Sequence, residues 1–225
     1  MNIIAQRLQD INTSIHCAKL KTHRLDEILL LAVSKSKPAN VVREAFLAGQ
    51  KYFGENYLQE ALTKQQQLKD LAIDWHFIGP IQSNKTQAIA ENFSWVHGVD
   101  RLKIAERLNA GRPPHLPPLN ICIQINVSGE SSKSGIGPQE AETLANAIVT
   151  LPHLKLRGLM AIPAPTKDIA LQHEQFKLVR DCYNNLNNKG FQLDTLSMGM
   201  SGDYLVAIEE GATIIRVGSA IFGTR

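Results

Sequence analysis

The feature that most constrains this chain is an alternation of short apolar segments with amphipathic ones along 225 residues. The apolar segments fall at 28–34, 51–54, 75–78, 94–97, 119–125, 155–159, 194–197 and 213–217, and they read as strands. The intervening stretches 38–48, 55–69, 82–91, 101–110, 138–150, 167–187 and 203–210 carry helical patterns. Strands too apolar to have a wet face belong in a parallel sheet covered by helices on its outside. Eight such repeats predict a single (β/α)8 barrel, an α/β fold, while an open doubly wound sheet is the competing architecture. Ile4, Leu8, Ile11 and Ile15 recur at helical spacing ahead of the first strand, so an extra N-terminal helix must cover something apolar. The length is at the lower end of what a barrel needs, so residues 1–225 are expected to form one domain.

Composition narrows the partners. The net charge is +3, with 24 basic and 21 acidic side chains interspersed rather than blocked, which gives no footprint for nucleic acid or a membrane surface. Cys17, Cys122 and Cys182 are odd in number, far apart and without metal-ligand spacing, and Cys122 lies in an apolar run as a small core hydrophobe. The first twenty positions hold no apolar leader segment and no run reaches membrane-spanning length, so a cytoplasmic protein is expected. The stiff loop Gly111-Arg-Pro-Pro-His-Leu-Pro-Pro-Leu119 precedes a strand and reads as a connector on the face away from an active site.

The chemistry is concentrated at strand ends. Lys35 closes the run 28–34 and is followed by Lys37 and Pro38, so the first strand delivers an amine to its carboxyl end. A Schiff-base lysine needs burial or a neighbouring cation to free its amine, and Lys37 would share a side with Lys35 if the pleat continued. Spacing alone does not choose between the two lysines. Near the other end, Ser197-Met-Gly-Met-Ser201-Gly-Asp and Arg216-Val-Gly-Ser-Ala-Ile-Phe-Gly223 supply glycine- and serine-bearing turns of the kind that hold a phosphate by backbone N–H groups. An amine and a phosphate cradle together suggest pyridoxal 5'-phosphate.

The segments Ala32-Val-Ser-Lys35-Ser-Lys37-Pro38, Phe53-Gly54-Glu55-Asn56-Tyr57, Trp75-His76-Phe77-Ile78-Gly79, Gln82-Ser83-Asn84-Lys85, Lys133-Ser-Gly135-Ile136 and Gly158-Leu159-Met160 complete the series. In order, with the two turns above, they resemble the motifs of the pyridoxal phosphate homeostasis protein family, a stand-alone relative of the alanine racemase N-terminal barrel. The resemblance runs from about Leu31 to the C-terminus. It implies that Lys35 forms the cofactor aldimine, that Asn56 lies beside the ring, and that Ser201, Gly202, Gly218 and Ser219 cradle the phosphate. It places Arg216 against the pyridine nitrogen, where a guanidinium can only donate, leaving the ring unprotonated and its electron sink weak. Without the resemblance, the position of Asn56 also permits a helix cap, and the competing reading of Arg216 is a partner of Glu209 or Glu210.

Lys133 and Lys85 sit in loops after strands five and three, where either could line the same mouth as a secondary cofactor contact. His76, inside an apolar strand, reads as a hydrogen-bonded core histidine, and Met160 and Met198 as packing. The function expected is a non-catalytic carrier that holds pyridoxal phosphate and buffers it or supplies it to apo-enzymes. The alternative is an amino-acid racemase, and a phosphosugar barrel without this cofactor explains the turns but not the motif series. A two-base racemase needs a second acid/base, which in the racemase relatives comes from a further β-domain; the chain ends at Arg225, and none of its tyrosines follows the barrel. The same ending leaves out the short polar tail of many relatives and the racemase dimer contacts, so a monomer is expected.

Overall fold

The computed structural model describes residues 3–128 and 134–223. Its parallel strands close into one barrel in chain order: β1 (Leu29–Val33), β2 (Tyr52–Glu55), β3 (Asp74–Phe77), β4 (Trp95–Val99), β5 (Leu119–Ile125), β6 (Leu154–Ala161), β7 (Thr195–Ser197) and β8 (Ile214–Val217). The barrel seals where β1 pairs with β8, in the register Leu31 to Arg216 and Ala32 to Val217. An open doubly wound sheet is thereby excluded.

The outer ring consists of α2 (Ala39–Leu47), α3 (Leu58–Gln67), α4 (Thr86–Asn92), α5 (Leu102–Gly111), α6 (Ala141–Ile148), α7 (Ile169–Asn188), α8 (Tyr204–Glu209) and a one-turn α9 (Ser219–Phe222). The N-terminal helix α1 (Ile3–Lys21) buries Ile4, Leu8, Ile11, Ile15 and Ala18. It packs against α2, α8 and α9 and so covers the seam of the barrel. Helix α3 begins later than its pattern suggests because Glu55 still belongs to β2. The segments beginning at 82 and 138 each open with a 3₁₀ turn, Ser83–Lys85 and Pro138–Glu140.

Strand alternation divides the core in two. Leu30, Ala32, Ile215 and Val217 face the helices, within the large cluster that includes Phe53, Val96, Ile121 and Phe176. Leu31, Ile78, Trp95, Cys122, Met160 and Ile214 fill the barrel interior. Arg216 shares the parity of Ile214 and therefore points inward, with only 3% of its surface exposed. Cys122 is fully buried, and burial pushes its thiol up to about 12, as suits a packing residue. The proline-rich loop leads into the N-terminal end of β5, where the buried Arg112 holds the carbonyls of Ala90 and Phe93 from Nη1 and that of Pro117 from Nε. No helix among the described residues is long and apolar enough to cross a membrane.

Candidate functional site

The carboxyl end of β1 is a turn in which nearly every group except the lysine amine is tied down. Ser34 donates its N–H to Gly54 O at 3.0 Å and its hydroxyl to Glu55 Oε1 at 2.6 Å. Ser36 adopts a left-handed conformation (φ 60°), and its N–H donates to Glu60 Oε1 at 2.6 Å. Lys37 closes the turn onto Ser34 O, and its Nζ donates to the carbonyls of Phe222 and Gly223 at 3.2 and 3.3 Å. The pleat therefore does not continue past Val33, and Lys37 is not a second amine beside Lys35. It is a bolt between the turn and the C-terminal end of α9, where a cation is favoured. Lys35 is half-buried, and its Nζ makes no hydrogen bond or ion pair among the described residues.

Behind this turn lies a buried charge cluster that the sequence reading missed. Lys64 Nζ donates to Ser34 O and Glu55 Oε1, both at 2.7 Å, and forms an ion pair with Glu60 Oε1 at 2.5 Å. Glu55 is fully buried; desolvation raises its pKa, opposed by Lys64 and by the Ser34 hydroxyl. A signal was present: Lys64 falls in the apolar stripe formed by Leu58 and Ala61 of α3 and Leu68 just past its end, where a lysine needs a partner.

The glycine- and serine-bearing turns meet beside β1. Ser201 Oγ accepts from the N–H groups of Gly218 and Ala220 at 3.3 and 3.4 Å, so the start of α9 is held only by long bonds. A side chain at Gly218 would come within 3.2 Å of Val33 O, so the glycine lets this N–H group lie against the end of β1. Ser219 is exposed at the first position of α9. Gly202 stands apart: it is exposed, and a Cβ built there would meet nothing within 4 Å. Asp203, which sequence reasoning did not single out, receives Met200 N–H at 2.6 Å, and its burial raises its pKa. Gly199 is required by its turn, with φ +93° and the Ala207 methyl 2.6 Å from any added Cβ.

Arg216 occupies the barrel interior below these turns. Its Nη1 donates to Ser197 O at 2.5 Å and Ser197 Oγ at 2.8 Å, and its Nη2 to Ala161 O at 2.8 Å. Burial lowers its pKa to about 10, so it stays a cation at neutral pH. Glu209 and Glu210 are not its partners; they pair with Lys21, His173 and Arg180 at the surface. Ser197 continues to His97 Nδ1 at 2.7 Å, and His97 Nε2 lies 2.9 Å from His76 Nδ1. His76 is thus the hydrogen-bonded core histidine expected, while His97 went unnoticed.

Asn56 follows the end of β2, and its Oδ1 is buried with no hydrogen-bond partner among the described residues. It does not cap α3, whose N-cap is Tyr57. Gly79 is obligatory beside it, since a Cβ there would lie 2.2 Å from Asn56 O. Lys85 is half-buried in the loop after β3, on the same end of the barrel. Lys133 lies outside the described residues.

These elements define a class: a parallel α/β barrel with a lysine at the end of its first strand, an inward arginine on its last, and an anion-ready helix start between them. The family model for the N-terminal domain of alanine racemase matches residues 15–225. Similar proteins named pyridoxal phosphate homeostasis protein occur in Pseudomonas aeruginosa, 62% identical over 87% of this chain and 84% of that one. Others occur in Vibrio cholerae, 51% identical over 100% and 98% of the two chains, and in Escherichia coli, 49% identical over 100% and 98%. The chain belongs to the pyridoxal phosphate homeostasis protein family. Among solved structures, PipY of Synechococcus elongatus PCC7942, with PLP bound, is 36% identical with a TM-score of 0.85, covering 98% of this chain and 100% of that one. Alanine racemase from Corynebacterium glutamicum shares the fold, with a TM-score of 0.70 at 20% identity over 99% of this chain and 61% of its own.

Proposed function

We propose that this protein binds pyridoxal 5'-phosphate at the C-terminal mouth of the barrel and serves in its intracellular homeostasis, as a carrier that buffers or supplies it. One observation carries the reading: Ser34, Ser36 and Lys37 anchor the turn around Lys35, the last of them onto α9, yet the Lys35 amine has no partner among the described residues. The donor set fits the group. The Gly218 and Ala220 N–H groups, with Ser201 and Ser219, suit a phosphate. The unpartnered Asn56 Oδ1 and the inward Arg216 suit a polar aromatic ring. The Gly202 N–H, at an exposed position of the Ser201 turn, would complete the phosphate cradle.

Bound pyridoxal phosphate supplies a reactive aldehyde and an electron-withdrawing ring. Lys35 would hold it covalently, Ser201 and the start of α9 would fix its phosphate, and Asn56 would flank the ring. Arg216 remains a donor at neutral pH, so it would keep the ring nitrogen unprotonated and disfavour carbanion chemistry. That argues for a carrier over an amino-acid racemase, in keeping with the name of the relatives. We place the carrier in the cytoplasm as a single-domain monomer that serves apo-enzymes, with Lys85 and Lys133 as secondary cofactor contacts.

The test is the absorption spectrum with pyridoxal phosphate before and after borohydride, followed by mass mapping. The expected result is a visible band and a reduced adduct on Lys35, both absent in Lys35→Ala. An adduct elsewhere, or none, overturns the reading. Alanine racemization by the loaded protein at rates typical of enzymes, about 1–1000 per second, would overturn the carrier assignment.

A further inference from the structure

A file of polar side chains crosses the barrel interior from Arg216 toward the end of the barrel opposite the Lys35 turn. It runs from Arg216 Nη1 to Ser197 Oγ (2.8 Å), to His97 Nδ1 (2.7 Å), then from His97 Nε2 to His76 Nδ1 (2.9 Å). His76 Nε2 ends the file 3.7 Å from Asp74 Oδ1, at the first residue of β3. Arg216 is 3% exposed, and Ser197, His97 and His76 are fully buried. Around the file, His76 stacks on Trp95 with ring centroids 5.3 Å apart and meets the edge of Tyr52 at 6.2 Å. His97 contacts Trp95 at 5.7 Å, and the Arg157 guanidinium lies 4.7 Å from the Trp95 ring.

Chemistry fixes the direction of these bonds. A guanidinium only donates, so Ser197 Oγ accepts from Arg216 and keeps one proton to give. If that proton goes to His97 Nδ1, His97 carries its own on Nε2 and gives it to His76 Nδ1. His76 then carries its proton on Nε2, pointing at the Asp74 carboxylate. Every donor faces from the cation toward the anion, and successive bonds polarise one another favourably. In the opposite arrangement, two N–H groups converge on Ser197 Oγ. The bare lone pair of His76 Nε2, which has no hydrogen-bond partner, then faces a carboxylate. Protonating either ring would place a cation in the file beside Arg216, in a site from which burial already excludes charge.

We propose that Ser197 and His97 are positioning residues for Arg216: both imidazoles stand neutral with the proton on Nε2, and the file holds the guanidinium from behind. A guanidinium has five N–H hydrogens. Ser197 O, Ser197 Oγ and Ala161 O take three of them, which leaves two for a ligand at the mouth. The identity of that ligand rests on the reading above; the tautomers do not.

The experiment is long-range proton–nitrogen correlation NMR on the intact, ligand-free chain labelled at histidine. The expected result at pH 7 is a single Nε2–H tautomer for both His76 and His97, unchanged down to pH 5. An Nδ1–H tautomer, an imidazolium, or titration of either ring near pH 6.5 overturns the proposal. Ser197→Ala is expected to mix the His97 tautomers and to speed exchange of the Arg216 side-chain hydrogens at least tenfold. Ser197→Thr is expected to restore both. A single unchanged tautomer and unchanged exchange in Ser197→Ala refute the coupling, and the wild-type spectrum decides the tautomers even if a variant does not fold. With pyridoxal phosphate added, Ser197→Ala should move the absorption maximum while the adduct stays on Lys35. Failure of the wild-type chain to form that adduct would remove the ligand assignment and leave the tautomer result standing.

Discussion

Replacing Lys64 by methionine isolates the buried charge cluster behind the Lys35 turn. Methionine matches the length of the lysine stem and keeps its packing in the stripe of α3. What disappears is an ammonium that meets Glu55, Glu60 and Ser34 O between 2.5 and 2.7 Å. Glu55 is then a fully buried carboxyl whose Oε2 has no partner and whose Oε1 keeps only the Ser34 hydroxyl. Removing one member of a buried pair typically destabilises by about 3–5 kcal/mol.

The chain has one escape, which sets a ceiling. Glu55 can take up a proton in the folded state, and at pH 7 this costs the gap from its ordinary value of 4.5. At about 1.36 kcal/mol per pH unit, that gap is roughly 3.4 kcal/mol. The expected loss is therefore roughly 3 kcal/mol at pH 7, shrinking to about 1 kcal/mol near pH 5. The sign follows from linkage: a carboxyl whose folded pKa lies above its unfolded value binds more protons when folded, so stability falls as pH rises. Urea denaturation at several pH values between 5 and 7.5 reads this directly, and adding Glu55→Gln to Lys64→Met should flatten the dependence. A loss below about 1 kcal/mol at pH 7, or one that does not change with pH, would refute the reasoning. Because the cluster also holds Ser34 and Ser36, the yield of adduct on Lys35 should fall in the same variant.

Three further outcomes are expected. Leu8→Ala should cost about 2–4 kcal/mol in denaturant unfolding, because α1 buries that side chain to 3% exposure across the barrel seam; a change below 1 kcal/mol would mean α1 is not docked. Gly79→Ala should displace Asn56, since its methyl would lie 2.2 Å from Asn56 O, and lower cofactor loading at least tenfold in equilibrium dialysis; unchanged loading would count against a role for Asn56. Burial depresses His76 from 6.5 to about 3, so its stabilising contribution is complete above pH 6.5 and is lost as pH falls toward 3, on the order of 5 kcal/mol in all. His76→Asn should accordingly show a shallower fall in stability than wild type in acid denaturation between those limits.

Legibility in the sequence followed the range of the interaction. The barrel was readable because each strand repeats a local pattern, and the inward aim of Arg216 follows from alternation with Ile214. Helix α9 was not readable, since its four residues are too few to show a helical period. The pairing of Lys35 with Lys37 failed for a local reason: period two holds only inside a strand, and Ser36 turns left-handed just past its end. Lys64 was readable in principle as a charge on an apolar stripe. The contact between His97 and Ser197 was not readable at all, since 100 residues separate them and nothing local to either strand points to the other. Neither strand pairs with the other: β4 binds β3 and β5, while β7 binds β6 and β8. Their contact exists only because closure brings inner faces together across the axis, where no register rule applies. In a barrel, the residues that support the site from within are thus the ones a linear reading is least able to find.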